Sequence, residues 1–475
     1  MVFSSLLFVY LFLPCCLLFY FLVKNITARN IILLIFSLIF YAWTNPKYIL
    51  LLIVMVFINW ICAIGIDSNG RRRVRKRWLV IDLIGCLLIL GIFKYLGFAS
   101  SILKGITGFP SEVINIVLPI GISFYTFQLI SYTIDVYRGE IPAERNFFTV
   151  LLYAGLFHQC IAGPIVRYQD VAEEIEYRTI DTDELSKGVT RFAIGLAKKT
   201  LLANTCAKVF DLLVPLDTIE QCSALSLWLG MLFFMFQIYL DFSAYSDMAI
   251  GMGLMTGFHF RENFNYPYTG TSITDFWRRW HISLSTFFRD YVYIPMGGNR
   301  CSRVKQIFNL FVVWFLTGMW HGASWNYILW GLFFFVFLVI EKLFLFDILE
   351  SIPKAIGHVY MFIVVYFGWI IFKFEDLGTM GKVFKGMFCG NGNSLTSYET
   401  GTVLMNYIFF LVICIIAITP FMKELGRLLN EIGTKYKGVL LFKSTVDIII
   451  PILLLVLSTM ALVGNSYNPF LYFQF

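Results

Sequence analysis

A polar stretch at residues 258–323 organises the chain: it reads FHFRENFNYPYTGTSITDFWRRWHISLSTFFRDYVYIPMGGNR over 258–300 and ends FLTGMWHGA over 315–323. It lies between segments that are almost purely apolar, and it holds His259, His281 and His321, three of the five histidines. A chain this hydrophobic has little use for buried imidazoles unless they do chemistry. We therefore expect the chemistry here, although no role can be assigned to His259, which we take as structural.

The composition of the chain is that of an integral membrane protein. Of its 475 residues 59% are hydrophobic and only 14% are charged, whereas a soluble domain carries about 25% charged residues. Long uncharged runs cover 6–23, 31–46, 48–66, 79–93, 223–240, 306–320, 325–340, 403–418 and 446–464. They lack the alternation of a membrane β-barrel, and several are shorter than the about 20 residues that span a bilayer. We predict an all-α membrane protein with about eleven spans plus re-entrant and cytoplasmic helices.

Basic residues set the expected orientation. The net charge is +7, and the segment 71–77 reads RRRVRKR between two apolar runs. The positive-inside rule places this segment in the cytoplasm, and the N-terminus then lies outside. The ten cysteines form no C-x-x-C pair, so neither a zinc site nor a redox motif is predicted.

Two acidic residues lie inside the apolar segment 223–257. Asp241 and Asp247 stand in a context typical of a membrane span. Carboxylates within a membrane are energetically unfavourable and normally face the protein interior. We predict that they line or brace a polar cavity.

The sequence also predicts an amphipathic helix at 274–290. Ser272-Ile-Thr-Asp275 matches a capping box, in which side-chain oxygens accept from free N–H groups at a helix start. With 3.6 residues per turn, Trp277, Trp280 and His281 share one face, and Arg278 and Arg279 lie mainly on the other. An interfacial helix with its aromatic rings toward lipid and its arginines toward headgroups fits the same pattern.

His321 follows a second predicted helix, 306–320, with Gly322 as its expected C-terminal cap. Histidine is the side chain best matched to general-base work near neutral pH, and a buried, hydrogen-bonded structural histidine is the alternative. Motifs for serine nucleophiles, zinc hydrolysis, ATP and dinucleotides are absent from the sequence. What remains is histidine-assisted group transfer, in which the donor brings the activated group.

Several segments, taken in order, resemble one known family. They include FYAW at 40–43, LPIGISFYTFQLISYTIDVYRG at 118–139, IAGPIVRYQD at 161–170, YLDFSAYSDMAIGMGLMTGF at 239–258, NFNYPY at 263–268, SITDFWRRWHISLSTFFRDYVYIPMGGNR at 272–300, WHGASWNYILWG at 320–331 and YNPFLYF at 467–473. The chain resembles the membrane-bound O-acyltransferases (MBOAT), specifically their bacterial polysaccharide O-acetylation branch. The matches run through nearly the whole length.

The resemblance implies an MBOAT fold around a central tunnel, with the whole chain, 1–475, as one polytopic domain. Its expected parts are N-terminal helices at 1–100, a core at 114–346 and C-terminal helices at 356–475. It implies that His321 is catalytic and that His281 is a second histidine of the same tunnel. The other residues expected along the tunnel are Trp277, Arg278, Arg279, Trp280, Asp241, Tyr245, Asp247, Trp320 and Asn326.

The resemblance also implies a donor and partners. The expected donor is acetyl-CoA from the cytoplasm, with no metal, and the expected location is the bacterial plasma membrane. An extracytoplasmic partner of the SGNH-hydrolase type and a polysaccharide synthase are the expected protein partners, with lipids around the chain and no nucleic acid. A carrier-protein thioester, as in teichoic acid D-alanylation, is the alternative donor. A glycan transporter with histidine proton relays, or a non-catalytic scaffold for a secreted enzyme, are the alternative functions.

Overall fold

The computed structural model describes residues 1–43, 45–108, 117–159, 163–464 and Phe470. Within these ranges the regular secondary structure is helical, without a strand, so the predicted all-α fold class is confirmed. Residues 161–162 of the IAGP motif, and the aromatic tail at 467–473 apart from Phe470, lie outside the described residues.

The α-helices, numbered in chain order, cover most of the described chain. They are α1 (Leu13–Leu22), α2 (Ile26–Ala42), α3 (Lys47–Asp67), α4 (Arg72–Thr107), α5 (Ile122–Arg138), α6 (Phe147–Gly155), α7 (Tyr168–Glu176), α8 (Thr182–Ala197), α9 (Asn204–Leu213), α10 (Ala224–Thr256), α11 (Ile273–Arg279), α12 (Ile282–Phe288), α13 (Arg303–His321), α14 (Trp325–Ile340), α15 (Phe346–Ser351), α16 (Lys354–Lys373), α17 (Leu377–Met387), α18 (Tyr398–Ala417), α19 (Phe421–Gly433) and α20 (Lys437–Gly464). Segments of π-helix lie at Phe8–Phe12, Lys198–Ala203, Arg289–Tyr293 and Glu341–Leu345, and short 3₁₀ segments lie at Leu216–Gln221 and Pro267–Thr269.

Six of the described helices are long and apolar enough to cross a bilayer: α3, α4, α10, α16, α18 and α20. Phe8–Leu22 and α2 are shorter apolar helices. The predicted number of about eleven spans is larger, because hydropathy also counts runs whose helices are short. The run 31–46, for example, lies largely in α2, whose 17 residues reach about 26 Å, less than the about 30 Å hydrocarbon core.

The chain forms two compact units. The first contains Met1–Phe192, Met248–Glu262 and Ser283–Cys301, and the second contains Ala193–Asp247, Asn263–Ile282 and Ser302–Phe475. The polar stretch 258–323 therefore contributes two segments to each unit. The division of the chain into 1–100, 114–346 and 356–475 stays a prediction.

In the first unit, a buried polar group joins α3, α4 and α5. The Asn59 amide on α3 lies 3.0 and 3.1 Å from the Asp82 carboxylate oxygens on α4, and 2.9 Å from the Leu129 carbonyl oxygen on α5. Both polar side chains are fully buried. Polar side chains between membrane helices need such partners, because lipid offers none.

In the second unit, glycines let α13 and α14 pack closely. A Cβ atom added at Gly318 would lie 2.4 Å from the Tyr327 carbonyl oxygen, and one at Gly331 would lie 2.4 Å from the Trp314 carbonyl oxygen. Gly322 caps the C-terminal end of α13, as predicted, in an extended conformation with φ −169° and ψ 162°. Its missing side chain makes room for the Tyr327 ring, which lies 2.2 Å from an added Cβ.

Candidate functional site

The predicted helix at 274–290 is interrupted in the middle. Ser272 Oγ accepts from the Asp275 N–H at 3.0 Å, which confirms the predicted helix start. However, α11 ends at Arg279, Trp280 is extended, and α12 begins at Ile282. The prediction of one continuous helix is therefore wrong, and His281 lies in the break instead of on a helical face.

His281 is held in an unusual backbone conformation. Its φ is +45°, a left-handed value that costs a non-glycine residue about 1–3 kcal/mol and persists only where the surroundings enforce it. The neighbouring Ile282 N–H donates to the Asn263 carbonyl at 2.9 Å, and His281 Nδ1 lies 3.2 Å from Asn263 Oδ1. The imidazole is 1% exposed, with its centroid 4.7 Å from that of Phe242. Backbone strain and side-chain contacts thus fix one orientation of this ring.

His321, the last residue of α13, lies among aromatic rings. It is 5% exposed, and its centroid lies 4.9 Å from Trp320, 4.8 Å from Trp330 and 5.3 Å from Phe372, each approached edge-on. These rings hold the imidazole in place, and histidine is a side chain suited to general-base work.

Asn326 supports one of these rings. It is fully buried, and its side-chain amide donates to the Phe372 carbonyl at 3.0 Å near the C-terminal end of α16. In the part of α14 next to His321, Tyr327 packs on Phe372 at 5.1 Å between centroids. The predicted tunnel residue Asn326 therefore lies one ring away from His321 and positions its aromatic surroundings.

The two histidines contact the same indole. The Trp320 centroid lies 5.7 Å from that of His281 and 4.9 Å from that of His321. The sequence separates these histidines by 40 positions, and the structure brings them to one ring. We refer to His281, Trp320 and His321 as the histidine pair site.

The tryptophans and arginines of the FWRRWH segment have different environments. Trp277 packs against Trp314 at 4.8 Å and Phe334 at 4.9 Å, and Trp280 packs against Trp369 at 4.8 Å. Both rings are buried in protein, so the alternative in which they face lipid is wrong. Arg278 is exposed, whereas Arg279 pairs with Asp275 at 2.9 Å. The tryptophans therefore pack inside the protein, with Trp277 against Trp330, which contacts His321, and Arg278 is the more exposed of the two arginines.

The two intramembrane carboxylates have cationic partners that the sequence analysis missed. Lys199 Nζ lies 2.9 Å from Asp241 Oδ1, with side chains 2% and 1% exposed, and Lys198 Nζ lies 2.6 Å from Asp247 Oδ2. Both lysines lie in the π-helical segment Lys198–Ala203. Two adjacent lysines in the apolar run AIGLAKKTLLA are a signal that could have paired them with these carboxylates.

Tyr245 and Trp320 complete the set of predicted tunnel residues. Tyr245 is fully buried, and its ring lies 4.1 Å from that of Phe470. Trp320 is 4% exposed and, as described, contacts both histidines. Tyr245 therefore lies next to Phe470, while Trp320 is part of the histidine pair site.

His259 has a different environment, in the first unit. Its side chain is 52% exposed, and its ring nitrogens lie 2.7 Å from Glu174 and 3.1 Å from Glu184. Burial lowers the pKa of His259, but hydrogen bonds to the two carboxylates outweigh it and raise the pKa above its ordinary value. The expectation that all three histidines of the stretch are buried is wrong for His259, and its interpretation as structural fits an exposed ion-pair bridge.

Comparisons with known proteins identify the family. The family model described as "MBOAT, membrane-bound O-acyltransferase family" matches residues 140–378. The chain is 38% identical, over the whole of both chains, to a protein of Azotobacter vinelandii named probable alginate O-acetylase AlgI. It is 42% identical to the protein of the same name from Pseudomonas aeruginosa, over 86% of this chain and 80% of the relative. It is also 33% identical to a Helicobacter pylori protein named peptidoglycan O-acetyltransferase, over 83% of this chain and 81% of the relative.

These relatives are named as enzymes, which favours catalysis over the transporter and scaffold alternatives. The match covers the FWRRWH and MWHG segments that form the histidine pair site. The helices long and apolar enough to cross a bilayer agree with a protein embedded in the membrane. The chain belongs to the membrane-bound O-acyltransferase family and is an O-acyltransferase of the membrane.

Proposed function

We propose that the protein transfers the acetyl group of acetyl-CoA for the O-acetylation of an exported or cell-wall polysaccharide, with His321 as the general base. The observation that carries the proposal is the histidine pair site: His321 is buried among aromatic rings and shares Trp320 with His281. The names of the relatives support a polysaccharide, because they specify alginate O-acetylase and peptidoglycan O-acetyltransferase.

The proposed reaction needs one base and close positioning. His321 removes the proton of the acceptor hydroxyl, whose oxygen bonds to the thioester carbonyl carbon. The carbon–sulfur bond then breaks, the electron pair leaves with the thiolate, and the His321 imidazolium returns the proton to that sulfur. The products are an acetyl ester and the free thiol of CoA, and the base is regenerated. Because a thioester is already activated, base catalysis with positioning can suffice without a covalent enzyme intermediate.

His281 has a supporting role in this proposal. The left-handed backbone and the Asn263 contact fix its ring beside Trp320, where it can orient the donor carbonyl. Arg278 is exposed on α11, and a guanidinium suits the phosphates of CoA through its planar fork. Arg279 is already paired with Asp275, which makes it the weaker candidate for that contact.

The decisive experiment follows the acetyl group. The full-length protein in lipid nanodiscs is given acetyl-CoA labelled in the acetyl group together with a soluble polysaccharide whose hydroxyls accept it, and release of the free CoA thiol is measured for wild type and His321→Ala. In parallel, alkali-releasable acetate is measured on the exported polysaccharide of cells that produce each variant. We expect thiol release and polymer acetate with wild type and neither with His321→Ala. Thiol release only with an acyl carrier protein as donor would contradict the acetyl-CoA assignment.

The route to the polymer and the orientation in the membrane are part of the same proposal. We assign the protein to the plasma membrane with its N-terminus outside and the basic segment Arg71–Arg77 in the cytoplasm, in line with the positive-inside rule. Alkaline phosphatase fused after Lys47 should be active, and phosphatase fused after Asn69 should be inactive.

An extracytoplasmic SGNH-type partner is expected to receive the acetyl group. Labelled acetyl that is found on such a protein earlier than on the polysaccharide supports this route. Label on the polymer with the partner deleted would contradict it.

A further inference from the structure

Glu341 is a buried carboxylate that holds the start of α11. It follows α14 directly and is 1% exposed. The N–H groups of Ile273 and Thr274 donate to its two oxygens at 2.6 and 2.8 Å, and Thr274 Oγ1 donates to it at 2.6 Å. First-turn N–H groups have no acceptor within their own helix. Here a side chain 68 positions further along the chain supplies that acceptor.

The interaction is electrostatically favourable in two ways. A helix N-terminus carries a partial positive charge, so an anionic group is stabilised there. Hydrogen bonds to an ionised carboxylate are stronger than those between neutral groups. Glu341 therefore anchors α11 more firmly than the neutral Ser272 cap does alone.

The entry to α11 is fixed from α16 as well. His358 Nδ1 lies 2.8 Å from the Gly270 carbonyl oxygen. A Cβ added at Gly357 would lie 2.6 Å from the Thr271 carbonyl oxygen, so the backbone of residue 271 packs directly on α16. Of these contacts at the start of α11, those of Glu341 are made to the residues of the helix itself.

The position of α11 bears on both histidines. This helix has seven residues and leads through Trp280 into His281, so a displacement at its start is transmitted along about 10 Å of rigid helix. Helix α14, which Glu341 follows, carries Trp330 at 4.8 Å from His321 and 5.5 Å from Trp277. Glu341 thus links the segment that ends in His281 to the helix that packs on His321.

We infer that Glu341 is a positioning residue for acyl transfer, which sets the place of His281 relative to His321 through the N-terminus of α11. The inference rests on the proposed function, in which both histidines act on the same thioester. Glu341 touches neither histidine. Its effect is on geometry, so its loss lowers the rate of the bound complex more than it weakens donor binding.

Two measurements on the full-length protein in nanodiscs test the inference. Hydrogen exchange is followed in peptides covering 270–282 and 303–321, and kcat and KM for acetyl-CoA are measured by thiol release. Glu341→Gln keeps the size and removes the charge. It should speed exchange in 270–282 alone and lower kcat about 10- to 100-fold, because a misplacement near 1 Å costs up to about 100-fold in rate. KM should change less than about threefold, because donor binding is retained.

Two further variants complete the test. Glu341→Asp keeps the charge on a shorter side chain, so it should recover part of the kcat lost in Glu341→Gln. Glu350→Gln removes an exposed carboxylate on α15 and should change neither exchange nor kcat. A Glu341→Gln protein with faster exchange in 270–282 but wild-type kcat overturns the inference. Faster exchange in both peptides with a lowered unfolding temperature also overturns it, because the role is then only structural.

Failure of the proposed function has a separate signature. Wild-type thiol release by His321→Gln would refute His321 as the base, and would do so without any change at Glu341. The Glu341 variants are compared with wild type by exchange and by the split between kcat and KM. The Glu341 inference can therefore fail while the proposed function stands, and the two failures are distinguishable.

Discussion

His281 and His259 belong to the same polar stretch but have opposite surroundings. His281 is 1% exposed, strained and surrounded by aromatic rings, whereas the His259 side chain is 52% exposed between two carboxylates. The first environment excludes water and favours a neutral ring, and the second favours a charged one. The difference teaches that the residue type predicts possible chemistry, whereas the packing around it decides between chemistry and an ion pair.

The ion pairs of the two units differ in the same way. Lys199 and Asp241 are almost inaccessible, whereas the pairs made by His259 are open to solvent. Removing one partner of a buried pair leaves the other charge buried and uncompensated, whereas the charge that remains from an exposed pair is solvated by water. The following substitutions test these contrasts, from the largest expected effect to the smallest.

Replacing His321 should have the largest effect on catalysis. His321→Gln keeps a polar side chain but removes the base, so kcat for thiol release from acetyl-CoA should fall about 10²- to 10⁴-fold, the usual contribution of general acid–base catalysis. His259→Gln, measured alongside, should retain the wild-type rate. Equal rates for the two variants would remove the distinction between the buried and the exposed histidine.

Breaking the buried ion pair should be nearly as costly, but in stability. Lys199→Met leaves the Asp241 carboxylate buried without this partner and should lower the free energy of unfolding by about 3–5 kcal/mol. The double variant Lys199→Met/Asp241→Leu removes both charges and should recover most of the loss. Lys187→Met, which breaks an exposed pair with Asp183, should change the stability far less, because exposed ion pairs contribute little.

Unfolding in mixed micelles with increasing denaturing detergent measures these differences. The readout is the midpoint of the transition for the two single variants and the double variant. If Lys199→Met unfolds at the same midpoint as Lys187→Met, burial does not separate the two pairs.

Replacing His281 should have an intermediate effect on rate. Asparagine tolerates the left-handed backbone better than most residues, so His281→Asn keeps the break between α11 and α12 while removing the imidazole. We expect kcat to fall about 10- to 100-fold through poorer orientation of the donor. An unchanged melting temperature shows that the loss is not one of folding. A wild-type kcat would assign His281 a structural role beside Trp320.

The sequence was sufficient where the signal is local. Apolar composition predicts an all-α membrane protein, and Ser272 with Asp275 predicts where α11 begins, because each signal lies within a few residues. The resemblance of the WRRWH and MWHG segments to a known family pointed to His281 and His321. Motifs and composition of this kind are visible without knowledge of distant contacts.

The missed features depend on tertiary contacts. No glycine or proline occurs in FWRRWHIS, so nothing local indicates that the helix breaks at His281, and the Asn263 contacts decide it. Lys199, the partner of Asp241, lies 42 positions away from it. Glu341, which binds the start of α11, lies 68 positions after Ile273. Pairing over such separations is fixed by packing, which a single sequence does not display.

His259 should show the smallest effect, and one that depends on pH. Glu174 and Glu184 raise its pKa against the opposing effect of burial, so the folded state binds the proton more tightly than the unfolded state does. The resulting stability is fully present below the unfolded pKa of about 6.5 and is lost as pH rises through the higher folded pKa. His259→Gln should therefore be less stable than wild type at about pH 5.5 and equal to it at about pH 9.

The size of this difference follows from exposure. Because the side chain is 52% exposed, solvent and salt screen the pair, and at most about 0.5 kcal/mol is expected at the lower pH. Melting temperatures of wild type and His259→Gln at both pH values measure it. Lys187→Gln is the matched control, because its exposed pair with Asp183 contains no group that titrates near neutral pH and its difference from wild type should not depend on pH. A pH-independent difference for His259→Gln as well would mean that His259 is held by packing rather than by its charge, and the contrast with His281 would then concern exposure alone.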